Sequence, residues 1–255
     1  MELKVALIQS HLLWENPKAN REMFAGKIEG IPQGIDLIVL PEMFTTGFTM
    51  RPEKIDILEG ERTLQWMKDC ASKTNIAICG SIVFHEEGHF FNRLFFVLPN
   101  GEYYQYDKKH TFTLAGEDKV YKAGKRKEVF EYKGFRICPL ICYDLRFPVW
   151  ARNVEDYDLL LFVANWPKPR ISAWDTLLKA RAIENMAYCI GVNRIGLDGL
   201  GHEYPGHSAV FDSLGKRQGY SEKEEIIYAT LSKEHIKDNR TRLLFLEDRD
   251  GFNLL

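Results

Sequence analysis

Residues 135–148 read FRICPLICYDLRFP: a short apolar run that ends on Cys142 and is followed at once by Tyr143 and Asp144. A run of this length and composition, closed by turn-forming residues, is a strand. A free cysteine is most often a small buried apolar residue, so one such ending carries no function by itself. Two other stretches have the same form. IDLIVLPE (35–42) delivers Glu42, and YYQYDKKH (103–110) delivers Lys108 or Lys109. Layered α/β folds build their sites where side chains leaving neighbouring strands converge on one rim. Three strands that each end on a reactive group predict such a fold, with the site at a sheet rim.

Alternation separates the two lysines. In a strand successive side chains point to opposite faces, so Tyr104, Tyr106, Lys108 and His110 share one side and Gln105, Asp107 and Lys109 the other. The second set is polar and faces water, which sends Lys108 toward the interior.

Strand-like runs also occur at 2–9, 76–84, 90–98, 158–164 and 188–195. The pair 76–84 and 90–98 reads as a hairpin turning at Glu86–Gly88, and a late strand pair falls near 207–231. Helical patterns lie between them. Asn16 and Pro17 stand where a helix N-cap and first turn belong. Leu64, Met67 and Ala71 share one helical face, as do Trp174, Leu177, Leu178 and Ala182. Strands and helices alternate but hairpins interrupt them, which predicts an α/β fold whose sheets are mixed. No Pro, Gly or Ser-rich linker divides the chain, so residues 1–255 are expected to form one domain.

The formal charge of -2 gives no electrostatic reason to expect a nucleic acid partner. KAGKRK (122–127), the most basic stretch, reads as a solvated loop. No segment approaches the ~20 apolar residues of a membrane span, and MELKVALIQS lacks the apolar core of a secretory signal. The five cysteines (70, 79, 138, 142 and 189) form no CxxC pair. Cys138 and Cys142, if both in a strand, stand about 13 Å apart, beyond the ~7 Å of a disulfide. A cytoplasmic protein with reduced thiols is expected.

A glutamate, a lysine and a cysteine at one rim make an acyl-transfer machine. The carboxylate takes the thiol proton, the sulfur attacks a carbonyl, and the ammonium stabilises the oxyanion. His110 offers a Cys–His pair instead, but no residue is marked out to orient it.

The ordered set LPEMFTTGF, YDKKHTF, ICYDLRFP, ANWPKPR and ARAIENMAYCIGVNRIG resembles the nitrilase superfamily of carbon–nitrogen hydrolases, in particular its omega-amidase branch. The resemblance runs from about residue 3 to about residue 232. It implies a four-layer α-β-β-α sandwich, a homodimer, and neither metal nor organic cofactor. It places the family's catalytic groups on Glu42, Lys108 and Cys142, with Glu117 of LAGED as a supporting carboxylate. Two positions depart from the pattern: Thr111 follows the motif histidine where an aliphatic residue is usual, and Pro139 interrupts the cysteine strand.

On this reading the substrate is a small amide bearing a carboxylate, 2-oxoglutaramate or 2-oxosuccinamate, cleaved with water through a thioester on Cys142. The Tyr143 backbone N–H is the expected second oxyanion donor, Phe44 and Trp166 the pocket walls, and Arg170, with Lys168 beside it, the anchor for the carboxylate. The alternatives are an amidase or N-carbamoyl hydrolase of other specificity with the same three groups, and an interaction protein that retains the fold.

Overall fold

The computed structural model describes residues 1–253. Its strands, in chain order, are β1 (Glu2–Gln9), β2 (Leu37–Val39), β3 (Ala77–Glu86), β4 (His89–Val97), β5 (Tyr103–Asp107), β6 (Phe130–Tyr132), β7 (Phe135–Ile141), β8 (Leu159–Ala164), β9 (Tyr188–Asn193), β10 (Ile195–Leu197), β11 (Glu203–Pro205), β12 (Ser208–Phe211), β13 (Arg217–Ser221) and β14 (Glu225–Ser232). The helices are α1 (Pro17–Glu29), α2 (Glu59–Thr74), α3 (Pro148–Ala151), α4 (Ile171–Asn185) and α5 (Lys233–Leu243).

Two six-stranded sheets form, ordered β14-β1-β2-β3-β4-β5 and β13-β12-β9-β8-β7-β6, and β10 and β11 make a separate small hairpin. Each large sheet has three parallel strands at its centre (β1, β2, β3 and β7, β8, β9) and antiparallel partners on both sides.

The period of two in the first sheet sorts its side chains into two layers. Leu3, Val5, Leu7, Leu37, Val39, Cys79, Leu94 and Phe96 face the second sheet and join one core with its residues. Their neighbours Ala6, Ile8, Ile38, Leu40, Ile78, Phe95 and Val97 pack under Phe24 and Ile28 of α1 and Met67 and Ala71 of α2. On the far side Trp174, Leu178 and Ala182 of α4 cover the second sheet. The result is the four-layer α-β-β-α sandwich with mixed sheets that the motifs implied.

Local chemistry accounts for the element ends. Asn16 caps α1 by accepting from the Ala19 N–H at 3.2 Å, with Pro17 in the first turn. The β3–β4 hairpin turns through Glu87 and Gly88 at φ of +49° and +76°, the left-handed pair that a two-residue hairpin requires. Pro139 sits inside β7, but β6 ends its pairing opposite Ile137. Beyond that point β7 is an edge, where a proline is tolerated. The late strand pair proves to be three strands that divide between the sheets: β12 and β13 extend the second, whereas β14 crosses over to pair with β1.

Helix α4 reaches its sheet at Gly191 of β9. A Cβ there would lie 2.4 Å from Leu178 Cδ1 and 2.6 Å from Trp174 Cζ2. Gly191→Val is therefore expected to destabilise the protein by about 1–3 kcal/mol through overpacking. A lower urea midpoint at unchanged slope is the sign to look for; an unshifted midpoint would mean that α4 moves away at no cost.

Candidate active site

Each reactive group arrives just past a strand. Lys108 follows β5, and its N–H still donates to Asn92 O at 3.1 Å, so the strand alternation persists far enough to bury it. Glu42 comes three residues after β2, and Cys142 directly after β7. At both of these ends the chain turns through a left-handed residue, Met43 at φ +43° and Cys142 at φ +44°. Such backbone costs of order 1–3 kcal/mol outside glycine and persists only when its surroundings hold it. At Cys142 the holding group is Asp144. This fully buried carboxylate accepts from the Ile141 N–H (3.0 Å) on its own turn, and from Tyr106 Oη (2.8 Å) and the His110 N–H (2.9 Å) on the lysine segment.

Glu42, Glu117 and Lys108 are all essentially inaccessible to solvent. Lys108 Nζ donates to Glu42 Oε1 at 2.9 Å and to Glu117 Oε1 and Oε2 at 3.0 and 2.8 Å. Asn92 Nδ2 bridges the two carboxylates at 2.8 and 3.2 Å. The Asn165 N–H donates to Glu42 Oε2 at 2.8 Å, and Asn165 Nδ2 to the Glu42 carbonyl at 2.6 Å. Cys142 Sγ stands 4.0 Å from Asn165 O, and the Glu42 carboxylate is near enough to act on its pKa.

Burial alone would lower the Lys108 pKa, but Glu117 and Glu42 outweigh it and hold the ammonium charged. Burial raises the Glu117 carboxyl, and Glu42 adds to the rise against the pull of Lys108. Burial also pushes the Cys142 thiol well up, and the Glu42 charge pushes it further than Lys108 can pull it back. Cys142 at rest is thus a neutral thiol beside a carboxylate, not a free-standing thiolate. Burial raises the other four thiols too, Cys70 to about 11 and Cys138 to about 12. Acidity therefore does not single out Cys142; its position does.

That position is the floor of a cavity of about 330 Å³. Tyr143, Trp166 and Arg170 line it. Phe44 does not. Its ring is buried in the layer beneath α1 and α2, edge-on to Phe24 at 5.5 Å and 5.9 Å from Trp66, because the left-handed turn at Met43 sends Phe44 away from Glu42. Phe48, four residues on, supplies the aromatic wall and lies 5.0 Å beneath Lys108 Nζ. Lys168 is committed to Glu203 at 2.8 Å and stands outside the cavity. His110 Nδ1 is held by Asp144 Oδ1 at 2.8 Å and its ring stacks on Phe147, so it belongs to the scaffold of the turn.

Several lining residues lie outside the sequence reading. Arg146 has its guanidinium 5.0 Å from the centre of the Trp166 ring. Asn165 was within reach, since it ends β8 as Cys142 ends β7. The hairpin β10–β11 brings Asp198, Leu200, His202 and Tyr204 over the cavity; the turn chemistry of Asp198-Gly199 and Gly201 was its available signal. Among the described residues no cluster of three or more His, Cys, Asp or Glu is placed to hold a metal, and no helix is long and apolar enough to cross a membrane.

A buried carboxylate, ammonium and thiol gathered where two stacked mixed sheets meet define a class, and the chain belongs to it: the carbon–nitrogen hydrolase family, whose model matches residues 4–241. Within that family it falls in the omega-amidase branch of the nitrilase superfamily. It is 45% identical over 255 residues to the omega-amidase YafV of Yersinia enterocolitica, covering 99% of each chain. It is 29% identical to the 2-oxoglutaramate amidase of Bacillus subtilis, covering 97% of this chain and 98% of that one. Among solved structures it matches XC1258 of Xanthomonas campestris, a CN-hydrolase superfamily protein with an arsenic adduct in its active site. There the TM-score is 0.97, with 40% identity over the whole of both chains.

Proposed function

We propose that the chain hydrolyses 2-oxoglutaramate or 2-oxosuccinamate to the oxo-acid and ammonia. The observation that carries the carboxylate preference is a pair of guanidiniums in the cavity wall. Arg146 and Arg170 rest on the rings of Trp166 and Phe112, and among the described residues neither forms an ion pair. A guanidinium held over an aromatic ring and left without a carboxylate is suited to receive one from a ligand.

In the reaction so proposed, Glu42 takes the proton of Cys142 as sulfur bonds to the amide carbon. The carbonyl π electrons move to oxygen, where Lys108 and the Tyr143 backbone N–H receive the charge. Lys108 touches both oxygens of Glu117, so one of those contacts can pass to the oxyanion while the ammonium stays paired. The intermediate collapses, and the C–N bond breaks as Glu42 returns its proton to the departing nitrogen. Water then enters; Glu42 deprotonates it, and its attack on the thioester releases the acid and restores the thiol. A homodimer belongs to the same proposal, with light scattering as its measurement.

The test is ammonia release from 2-oxoglutaramate, 2-oxosuccinamate, glutamine, asparagine, an N-carbamoyl amino acid and a short neutral amide. The two oxo-acid amides are expected to lead the panel. Arg146→Ala should raise their KM roughly 10–100-fold, the weight of a charge-assisted hydrogen bond, and leave the neutral amide unaffected. Preference for the neutral or N-carbamoyl compound would assign the cavity to another specificity.

A further inference from the structure

Around the thiol, among the described residues, donors and acceptors balance except at two atoms, the Oδ1 of Asn165 and that of Asn92. All three hydrogens of Lys108 are engaged by the two glutamates. Glu42 Oε1 accepts from Lys108 and Asn92, and Oε2 accepts from the Asn165 N–H. Asn165 lines the cavity, is 4% exposed, and places its backbone carbonyl 4.0 Å from Cys142 Sγ. Its amide orientation is fixed, because the atom 2.6 Å from the Glu42 carbonyl must be the donor Nδ2. Asn165 Oδ1 is consequently the amide's free acceptor, and among the described residues it is buried without any partner. Asn92 Oδ1 is also unpaired, but Asn92 forms no part of the cavity wall.

A buried acceptor left empty is costly and calls for an explanation. A primary carboxamide brings one acceptor, its carbonyl oxygen, and two N–H donors. Lys108 and the Tyr143 N–H serve the oxygen, which leaves the –NH₂ group in want of acceptors beside the sulfur. We infer that Asn165 is a specificity-determining residue, whose Oδ1 accepts a hydrogen bond from the –NH₂ of the substrate amide; the inference rests on the amidase reading above. An ester or a carboxylate has no hydrogen to offer Oδ1, so its oxygen would meet a bare acceptor lone pair. The same atom that selects an amide thereby disfavours the acid product. A site built to pair with an N–H rejects the analogue lacking it, because its own polar atom is then stranded.

The readout is the ratio of kcat/KM for 2-oxoglutaramate to that for the 5-methyl ester of 2-oxoglutarate, followed as acid release by proteins whose fold is checked by circular dichroism. Asn165→Leu removes the acceptor. Whatever loss both substrates share through a disturbed Glu42, the amide-to-ester ratio is expected to fall by roughly tenfold or more. Asn165→Asp keeps an oxygen at the same place, and its ratio should stay within about threefold of the unaltered protein. Parallel losses on both substrates in Asn165→Leu would overturn the inference and leave the residue a support for Glu42. So would a ratio in Asn165→Asp that collapses as far as in the leucine variant. No ammonia from any amide with the unaltered protein would overturn the amidase reading itself, a result distinct from either.

Discussion

Glu42→Gln should slow amide hydrolysis by roughly 10²–10⁴-fold and at the same time make Cys142 easier to alkylate. The two effects have opposite signs because Glu42 has two opposed influences on the thiol. In the proposed reaction it is the base that receives the proton during attack, and an amide cannot do so. As a resting negative charge, second only to burial, it holds the thiol well above its ordinary range. Glutamine removes that charge while Lys108 stays in place, so the thiol pKa falls. Each unit of fall multiplies the thiolate fraction about tenfold. The weaker nucleophilicity of a more acidic thiol returns part of this, leaving about threefold per unit. Iodoacetamide labelling of Cys142 at neutral pH, set beside ammonia release, checks both signs. Slower labelling together with lost turnover would show that Glu42 acts only by holding the turn in shape.

Lys108→Ala is expected to lower turnover by roughly 10²–10³-fold, the usual loss for an oxyanion donor, and to destabilise the fold as well. Removing the cation leaves two buried carboxylates facing each other, and breaking a buried pair in this way costs about 3–5 kcal/mol. Glu117, already raised by its burial, would take up a proton and relieve part of that. Glu117→Gln in the Lys108→Ala background should therefore recover much of the stability and none of the activity. Lys109→Ala is the control: Lys109 is only partly buried, beside the Trp150 ring at 5.3 Å, and should change stability by about 0.5–1 kcal/mol. Equal turnover in the two lysine variants would place the oxyanion elsewhere. A double variant no more stable than Lys108→Ala would mean that the ammonium is not what keeps the carboxylates together.

What the sequence made legible follows from the range of the forces involved. Alternation is local, so the strands, the β3–β4 hairpin and the burial of Lys108 could be read from short windows. The three strand-end groups were legible because each is announced by the apolar run before it. Phe44 was misread because it lies in a turn, past the left-handed Met43, where strand alternation no longer says which way a side chain points, and its ring ends among residues of α1 and α2. Asn92 and Arg146 carry no such announcement: an asparagine inside a strand and an arginine after a turn gain their meaning from partners 50 and 20 residues away, Glu42 and Trp166. The division of the late strands between two sheets is likewise a tertiary decision, since nothing in residues 225–232 names β1 as their partner.

The groups of the proposed reaction are shared between the sheets: Glu42, Asn92 and Lys108 ride on the first, Cys142 and Asn165 on the second. Neither half holds a working constellation. Asn165 to Glu42, and Tyr106 and His110 to Asp144, are stitches across that seam. Turnover therefore measures the spacing of the two sheets, and does so finely, since a misplacement of about 1 Å can cost 10²-fold in rate. Thinning the layer between them, as Val39→Ala would, is felt at the thiol as a slower reaction before it is seen as unfolding. The enzyme's rate is in this sense a gauge of how tightly its two halves are closed.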